Sequence, residues 1–200
     1  MKNYVRAFRY LVSALSVSAA LSLVCLAQFA AGNRPIQTQA AKEVPSDRVA
    51  ALVAEWTRAK DYTREYIDTM PEDGLGLKPT PEIRSFAEQM LHLADGQYFF
   101  CKNIFGIETP AAAAGLEKNN DLKKNKAALQ KAVADSYDFV IAQIRTQTPA
   151  KLDEQITMFG TKMPRQVAIA KAFEHQTHHR GQTTIYIRLK GLKPPNERLF

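Results

Sequence analysis

The chain has 200 residues, two cysteines and a formal net charge of +7, enough length for one domain once its ends are trimmed. Its cationic residues are interspersed with acids rather than gathered into a stripe with aromatics, apart from a short cluster from Lys118 to Lys126 that also holds Asp121, so nucleic acid is not an expected partner. Cys25 falls in the export segment described next, and its loss leaves Cys101 alone and excludes a disulfide framework.

Lys2, Arg6 and Arg9 precede an uncharged apolar run over residues 10–31, the pattern of a signal peptide or single anchor over residues 1–32. Ala30-Ala31-Gly32 offers the small residues that cleavage needs, Thr38-Gln39-Ala40 is a later option, and Leu23-Val24 before Cys25 does not suit lipoprotein processing. Loss of residues 1–32 removes three basic and no acidic residues, so +7 becomes +4. The expectation is an exported protein, periplasmic or extracellular, that meets a membrane only if this segment stays uncleaved. Residues 33–45 are polar, with Pro35 and Pro45, and read as a flexible linker to a domain over 46–200.

Ser46 or Asp47 can cap a first helix whose face is Val49, Leu52, Val53, Trp56, Ala59, Lys60, Thr63 and Ile67, with Pro71 ending it. After a Gly- and Pro-rich connection, Thr80 and Pro81 read as the N-cap and first turn of a second helix that runs to Phe105. A third helix is expected from Asp121 to Thr146 on a stripe of Leu122, Leu129, Val133, Tyr137, Val140, Ile141 and Ile144. Residues 149–162 read as a loop or small β-ribbon, because Gln155 to Phe159 alternates and Gly160 follows. Pro164 suits the first turn of a fourth helix that Gly191 can terminate. The fold class is therefore all-α, a four-helix bundle running up-down, with a crossover connection left open.

Three of the four histidines fall within five positions, in Glu174-His175-Gln176-Thr177-His178-His179-Arg180-Gly181-Gln182. On a helix, His175 and His179 lie about 40° apart and His175 and His178 about 60° apart on the other side, so either pair can point at one ion. The fourth histidine, His92, shares its helix face with Ser85, Glu88, Asp95, Gly96, Phe99 and Asn103, a polar line for a core-facing helix. A divalent metal held by His92, His175 and His179 is the central hypothesis; three neutral imidazoles leave a coordination position for water or substrate. Glu88 and Asp95 flank His92 at i−4 and i+3 and can orient its ring, and Gln182 adds a polar group on the other helix. Cys101 lies half a revolution from His92 and is not an expected ligand. Arg180 is expected to pair with Asp95 or Glu174, Gly181 to allow close helix packing, and Trp56, Tyr98 and Phe99 to belong to the core.

Pro79-Thr80-Pro81-Glu82-Ile83-Arg84-Ser85-Phe86-Ala87-Glu88-Gln89-Met90-Leu91-His92, followed much later by His175-Gln176-Thr177-His178-His179-Arg180-Gly181-Gln182, resembles the DinB-like superfamily. The resemblance covers about Ser46 to Pro195 and implies a left-handed four-helix bundle with a crossover connection. It implies a divalent site of His92 from the second helix and His175 with His179 from the fourth, holding zinc, nickel or iron. It further implies a small-molecule substrate, with thiol-dependent S-transferases and isomerases using bacillithiol, mycothiol or glutathione among the relatives, and domains of ergothioneine-type synthases beside them. The export segment departs from this pattern, since such thiols are chiefly cytoplasmic. Three functions follow from different classes: an exported metal-dependent hydrolase or thiol transferase, a non-catalytic metal- or ligand-binding module, and a bundle with a structural metal. A homodimer through an exposed helix face is compatible with all three.

Overall fold

The computed structural model describes residues 47–200. The expected export segment over residues 1–32 and linker over 33–45 lie outside the described residues. Asp47 opens helix α1, Arg48–Thr69, by accepting hydrogen bonds from the Val49 and Ala50 amides, both at 3.0 Å, so two of the four unpaired N–H groups of the first turn are satisfied. Trp56, Ala59, Tyr62, Thr63, Tyr66 and Ile67 recur at helical spacing and are its buried face.

Helix α2, Phe86–Phe105, begins later than Thr80-Pro81 suggests. Ser85 and Glu88 form a reciprocal capping box, in which Ser85 Oγ accepts from the Glu88 amide at 3.2 Å and the Glu88 carboxylate accepts from the Ser85 amide at 2.8 Å. This pairing satisfies two amides at once, more than a Thr-Pro start can offer. The Ser85 amide, working against burial and joined by Lys123 and Lys78, holds the Glu88 carboxyl down at about 2. A carboxyl depressed in the folded state stabilises the fold above its unfolded value near 4.5, and that contribution is lost as pH falls toward 2. Glu88→Ala is therefore expected to lower stability by about 1–2 kcal/mol at neutral pH, and the gap between the two proteins, read by denaturant titration, closes on acidification.

Gly106, in the left-handed region at φ 71°, ends α2. Residues 107–125 then form a long connection with two single-turn 3-10 segments, Ala111–Ala113 and Leu116–Lys118. Helix α3, Lys126–Arg145, is capped by Asn125 and buries Leu129, Val133, Ser136, Tyr137, Val140, Ile141 and Ile144. Leu122, expected within this helix, lies before it and packs on the core from the connection. A short helix α4, Pro149–Asp153, precedes an antiparallel hairpin of β1, Gln155–Met158, and β2, Thr161–Pro164, paired from Gln155 with Pro164 to Met158 with Thr161. The ribbon reading thus holds, with a helical turn added in front. Its two-residue turn is Phe159-Gly160, with φ 51° and 76°; the left-handed conformation at phenylalanine costs about 1 kcal/mol or more. Helix α5, Arg165–Leu189, follows directly, and Gly191 at φ 76° turns the chain away.

Hydrogen bonds at the helix ends fix the directions. Arg48 at the start of α1 reaches Asp153 at 2.7 Å and Gln166 at the start of α5 at 3.1 Å, so α1 and α5 run the same way. Asp68 at the end of α1 accepts from Lys126 at 2.8 Å and Gln130 at 2.9 Å, so α3 runs oppositely to α1. Tyr186 near the end of α5 donates to the Arg84 carbonyl at 2.6 Å, just before α2, and Arg165 donates to the Ile104 carbonyl at its other end, so α2 opposes α5. The order is up, down, down, up. Two successive helices run in parallel, and the 107–125 connection must return along the bundle to link them; this is the crossover, and it replaces a simple up-down order. α1 and α2 both pack on α3 and α5, which places α1 diagonally from α2. Among the described residues, no helix is long and apolar enough to cross a membrane.

Candidate metal centre

α2 and α5 pack against one another along their lengths, and the polar line of α2 meets the histidine cluster of α5. His92, His175 and His179 each offer one ring nitrogen, and these three atoms lie within 4.8 Å of one another. The ring centroids are 4.5 Å apart for His92 and His179, 4.5 Å for His175 and His179, and 5.5 Å for His92 and His175. His178 stands beside His179 at 4.9 Å, but its Nε2 takes a 2.8 Å hydrogen bond from Gln182, and it is not part of the three-residue group.

Protein partners hold two of the three rings by Nδ1. The Glu117 carboxylate accepts from His92 Nδ1 at 2.9 Å, and Gln89 Oε1 accepts from His179 Nδ1 at 3.0 Å. Each bond places the proton on Nδ1 and leaves the Nε2 lone pair free to ligate. Burial, then the charges of His92 and His178, push His175 down to about 4; burial, then His175 and His92, push His179 down to about 3. Both rings are therefore neutral at physiological pH, the form that binds metal. His175 Nδ1 is buried with no hydrogen-bond partner among the described residues, a cost of roughly 1–3 kcal/mol unless a ligand completes it. The donor set fits a divalent transition metal on these grounds: three clustered imidazoles, two of them neutral, and one orphaned buried nitrogen.

Gly96 explains how α5 approaches so closely here. A Cβ built at Gly96 would lie 2.3 Å from His175 Cε1 and 2.9 Å from Nδ1, so the ring occupies the space a side chain would take.

The expected supporting residues take other places. Glu88 belongs to the capping box and pairs with Lys123 at 3.2 Å and Lys78 at 3.3 Å, not with a histidine. Asp95 also leaves His92 alone, but its two carboxylate oxygens accept the Leu116 and Glu117 amides, both at 2.9 Å. It thereby pins the crossover segment that delivers Glu117. Gln182 Oε1 accepts from Gln89 Nε2 at 2.5 Å, which fixes the amide orientation that serves His179. Glu117 and Gln89 were not among the expected residues. Gln89 lies three positions before His92 on the same face and was open to that argument; Glu117 lies in a loop, where no periodicity points to it. Burial alone would raise the Glu117 carboxyl, but hydrogen bonds from Arg84, at 2.5 Å, and His92 outweigh it and hold it below its ordinary range.

Arg180 pairs with neither Asp95 nor Glu174. It is buried, its guanidinium lies 4.5 Å from the Tyr62 ring centroid, and it donates to Gln176 at 3.1 Å, so a cation–π contact replaces the expected ion pair. Gly181 packs against nothing within 4 Å of a built Cβ. Trp56 and Tyr98 are in the core as expected, whereas Phe99 is 47% exposed. Cys101 is buried, its thiol pushed up to about 12 by desolvation, and it stands apart from the three histidines.

A cavity of about 860 Å³ opens on one side of the cluster, where Arg84, Gln89, Glu117, His178, His179 and Tyr186 line it. A second, of about 470 Å³, opens toward the hairpin and is bounded by His175 and His178.

The model of the DinB family matches residues 42–198. The chain belongs to the DinB family. Among curated relatives, the uncharacterised protein YjoA of Bacillus subtilis is 23% identical over 143 residues, covering 70% of this chain and 89% of that protein. The uncharacterised YrdA of the same organism is 37% identical over 68 residues, 32% of this chain and 41% of that one. A DinB-like protein from Bacillus cereus has a crystal structure that aligns with TM-score 0.59 at 21% identity, covering 74% of this chain and 97% of that one. The crystal structure of YjoA aligns with TM-score 0.54 at 21% identity, covering 75% and 96%. At this identity the two structures establish the shared fold.

Proposed function

We propose that this DinB-family protein is an exported metal-dependent hydrolase or thiol S-transferase that holds one divalent transition metal, zinc, nickel or iron, through His92, His175 and His179. The observation that carries the proposal is the meeting of one ring nitrogen from each of three histidines within 4.8 Å, two of the rings oriented by Glu117 and Gln89. Such an ion supplies Lewis acidity, which favours the deprotonated form of a thiol or water brought to it. Glu117 keeps the His92 proton on Nδ1 and, paired with Arg84, remains a carboxylate that can neutralise local positive charge. Gln182 and Gln89 form an amide relay that does the same for His179 by geometry alone. His178 borders both cavities and is the imidazole outside the ligand group placed to exchange a proton with a bound molecule.

The cavity of about 860 Å³ supports a small-molecule substrate, since it falls within the roughly 300–1,000 Å³ of such sites, and favours this reading over a bundle with a purely structural metal. The test is elemental analysis of the purified protein after reconstitution with zinc, nickel and ferrous iron, followed by assays of thiol transfer and hydrolysis. About one equivalent of metal with turnover supports the reading; no metal sinks it, and metal without turnover leaves a binding module.

Glu117→Gln keeps the shape and removes the charge. It is expected to weaken metal affinity by about 10–100-fold, the usual loss when an orienting partner of a ligand histidine is removed, measured by competition with a chromophoric chelator.

A further inference from the structure

We infer that the hairpin cavity seats an uncharged apolar group, an aryl ring or a branched alkyl chain, of the small molecule that reaches the three histidines; this rests on the metal-centre reading above. The cavity of about 470 Å³ is walled by Phe100, Met158, Phe159 and Met163 and floored by His175 and His178. Only two charged side chains touch it, Lys171 and Glu174, and they pair with each other at 2.8 Å. No unpaired charge is therefore presented to a ligand here, and thioether and aromatic surface remains for an apolar one.

The wall itself is unusual. Phe159 is 72% exposed although it occupies a left-handed backbone position, φ 51°, that favours glycine. Its ring stacks on Phe99 with centroids 5.8 Å apart and planes at 21°, and meets Phe100 edge-on at 6.4 Å. Phe100 in turn rests 5.3 Å from the His175 ring. An aromatic file thus leads from the hairpin tip to a histidine of the cluster, and that same His175 lines the cavity. Strained backbone and solvent-facing aromatic surface beside a functional cluster are accounted for together if a ligand covers them.

Methionine methyl signals read this directly. In metal-free protein labelled with 13C-methyl methionine and titrated with benzyl alcohol, the Met158 and Met163 methyls are expected to shift saturably with a common dissociation constant. Met70 and Met90, buried in the core, are expected to stay still. Phe159→Gly, which suits the turn and keeps the fold, is expected to weaken that binding at least fivefold. Equal shifts at all four methyls, or unchanged binding in Phe159→Gly, overturn the inference, as does movement of Met158 and Met163 on dilution alone, which would assign the surface to a second copy of the chain. In zinc-loaded protein, phenylacetohydroxamate is expected to bind at least tenfold more tightly than acetohydroxamate, and the gain is expected to vanish in Phe159→Gly. Equal binding of both hydroxamates defeats the apolar cavity and leaves the metal centre standing. Failure to load zinc, nickel or iron defeats the metal centre, and the methyl titration still decides the cavity.

Discussion

Gly96→Ala is expected to lower metal affinity by about 100-fold or more while leaving the fold intact. An exposed glycine inside a helix normally gains roughly 0.5–1 kcal/mol when replaced by alanine. Here the new methyl would stand 2.3 Å from His175 Cε1, so one of the two must give way. The imidazole is the movable partner, since it can swing about its side-chain torsions while the α2 backbone cannot yield without losing its packing on α5. A displaced ring no longer points at the ion, and loss of one of three ligands is costly. Chemical denaturation within about 1 kcal/mol of wild type, together with a large loss in chelator competition, is the expected pair of results. Retained affinity would mean that His175 does not ligate in the pose described.

The second large effect separates the neighbouring histidines. His92→Ala and His179→Ala are each expected to lose the metal, with affinity down by about 1,000-fold or more, given that the binding free energy of a tight site is shared among only a few ligands. His178→Ala is expected to keep about one equivalent, because its Nε2 is engaged by Gln182 and it lies outside the three-residue group. Elemental analysis of the three purified variants gives the comparison. Loss in His178→Ala with retention in His179→Ala would reverse the assignment.

The faces of α1 and α3 are readable in the sequence because helical burial repeats at 3.6 residues, and Trp56 and Tyr137 obey it. The pairing of His175 with His179 was likewise visible as a local spacing. What local spacing cannot convey is a contact from a distant loop. Glu117 reaches His92 only because Asp95 anchors the crossover on α2, and no pattern within residues 107–125 foretells that. Asp95 shares the His92 face, as the spacing predicts, but its carboxylate holds the Leu116 and Glu117 amides rather than the ring. The start of α2 was misplaced because Thr80-Pro81 mimics a helix start, whereas the Ser85 and Glu88 box, also present in the sequence, satisfies more amides. Phe99 was misjudged for a different reason: it is apolar and lies on the site-facing line of α2, but the element that meets it is a hairpin turn rather than a helix.

The crossover has a kinetic consequence. His92 precedes it and His179 follows it, 87 positions later in the chain, so an ion gripped by both is a removable staple across most of the domain, closing a loop whose entropy in the unfolded chain is considerable. Such a staple resists force and heat yet yields to a chelator, and unfolding in the presence of metal should then proceed only as fast as the ion escapes. A slow escape of this kind would also delay proteolysis, because cleavage of an opened chain waits upon opening.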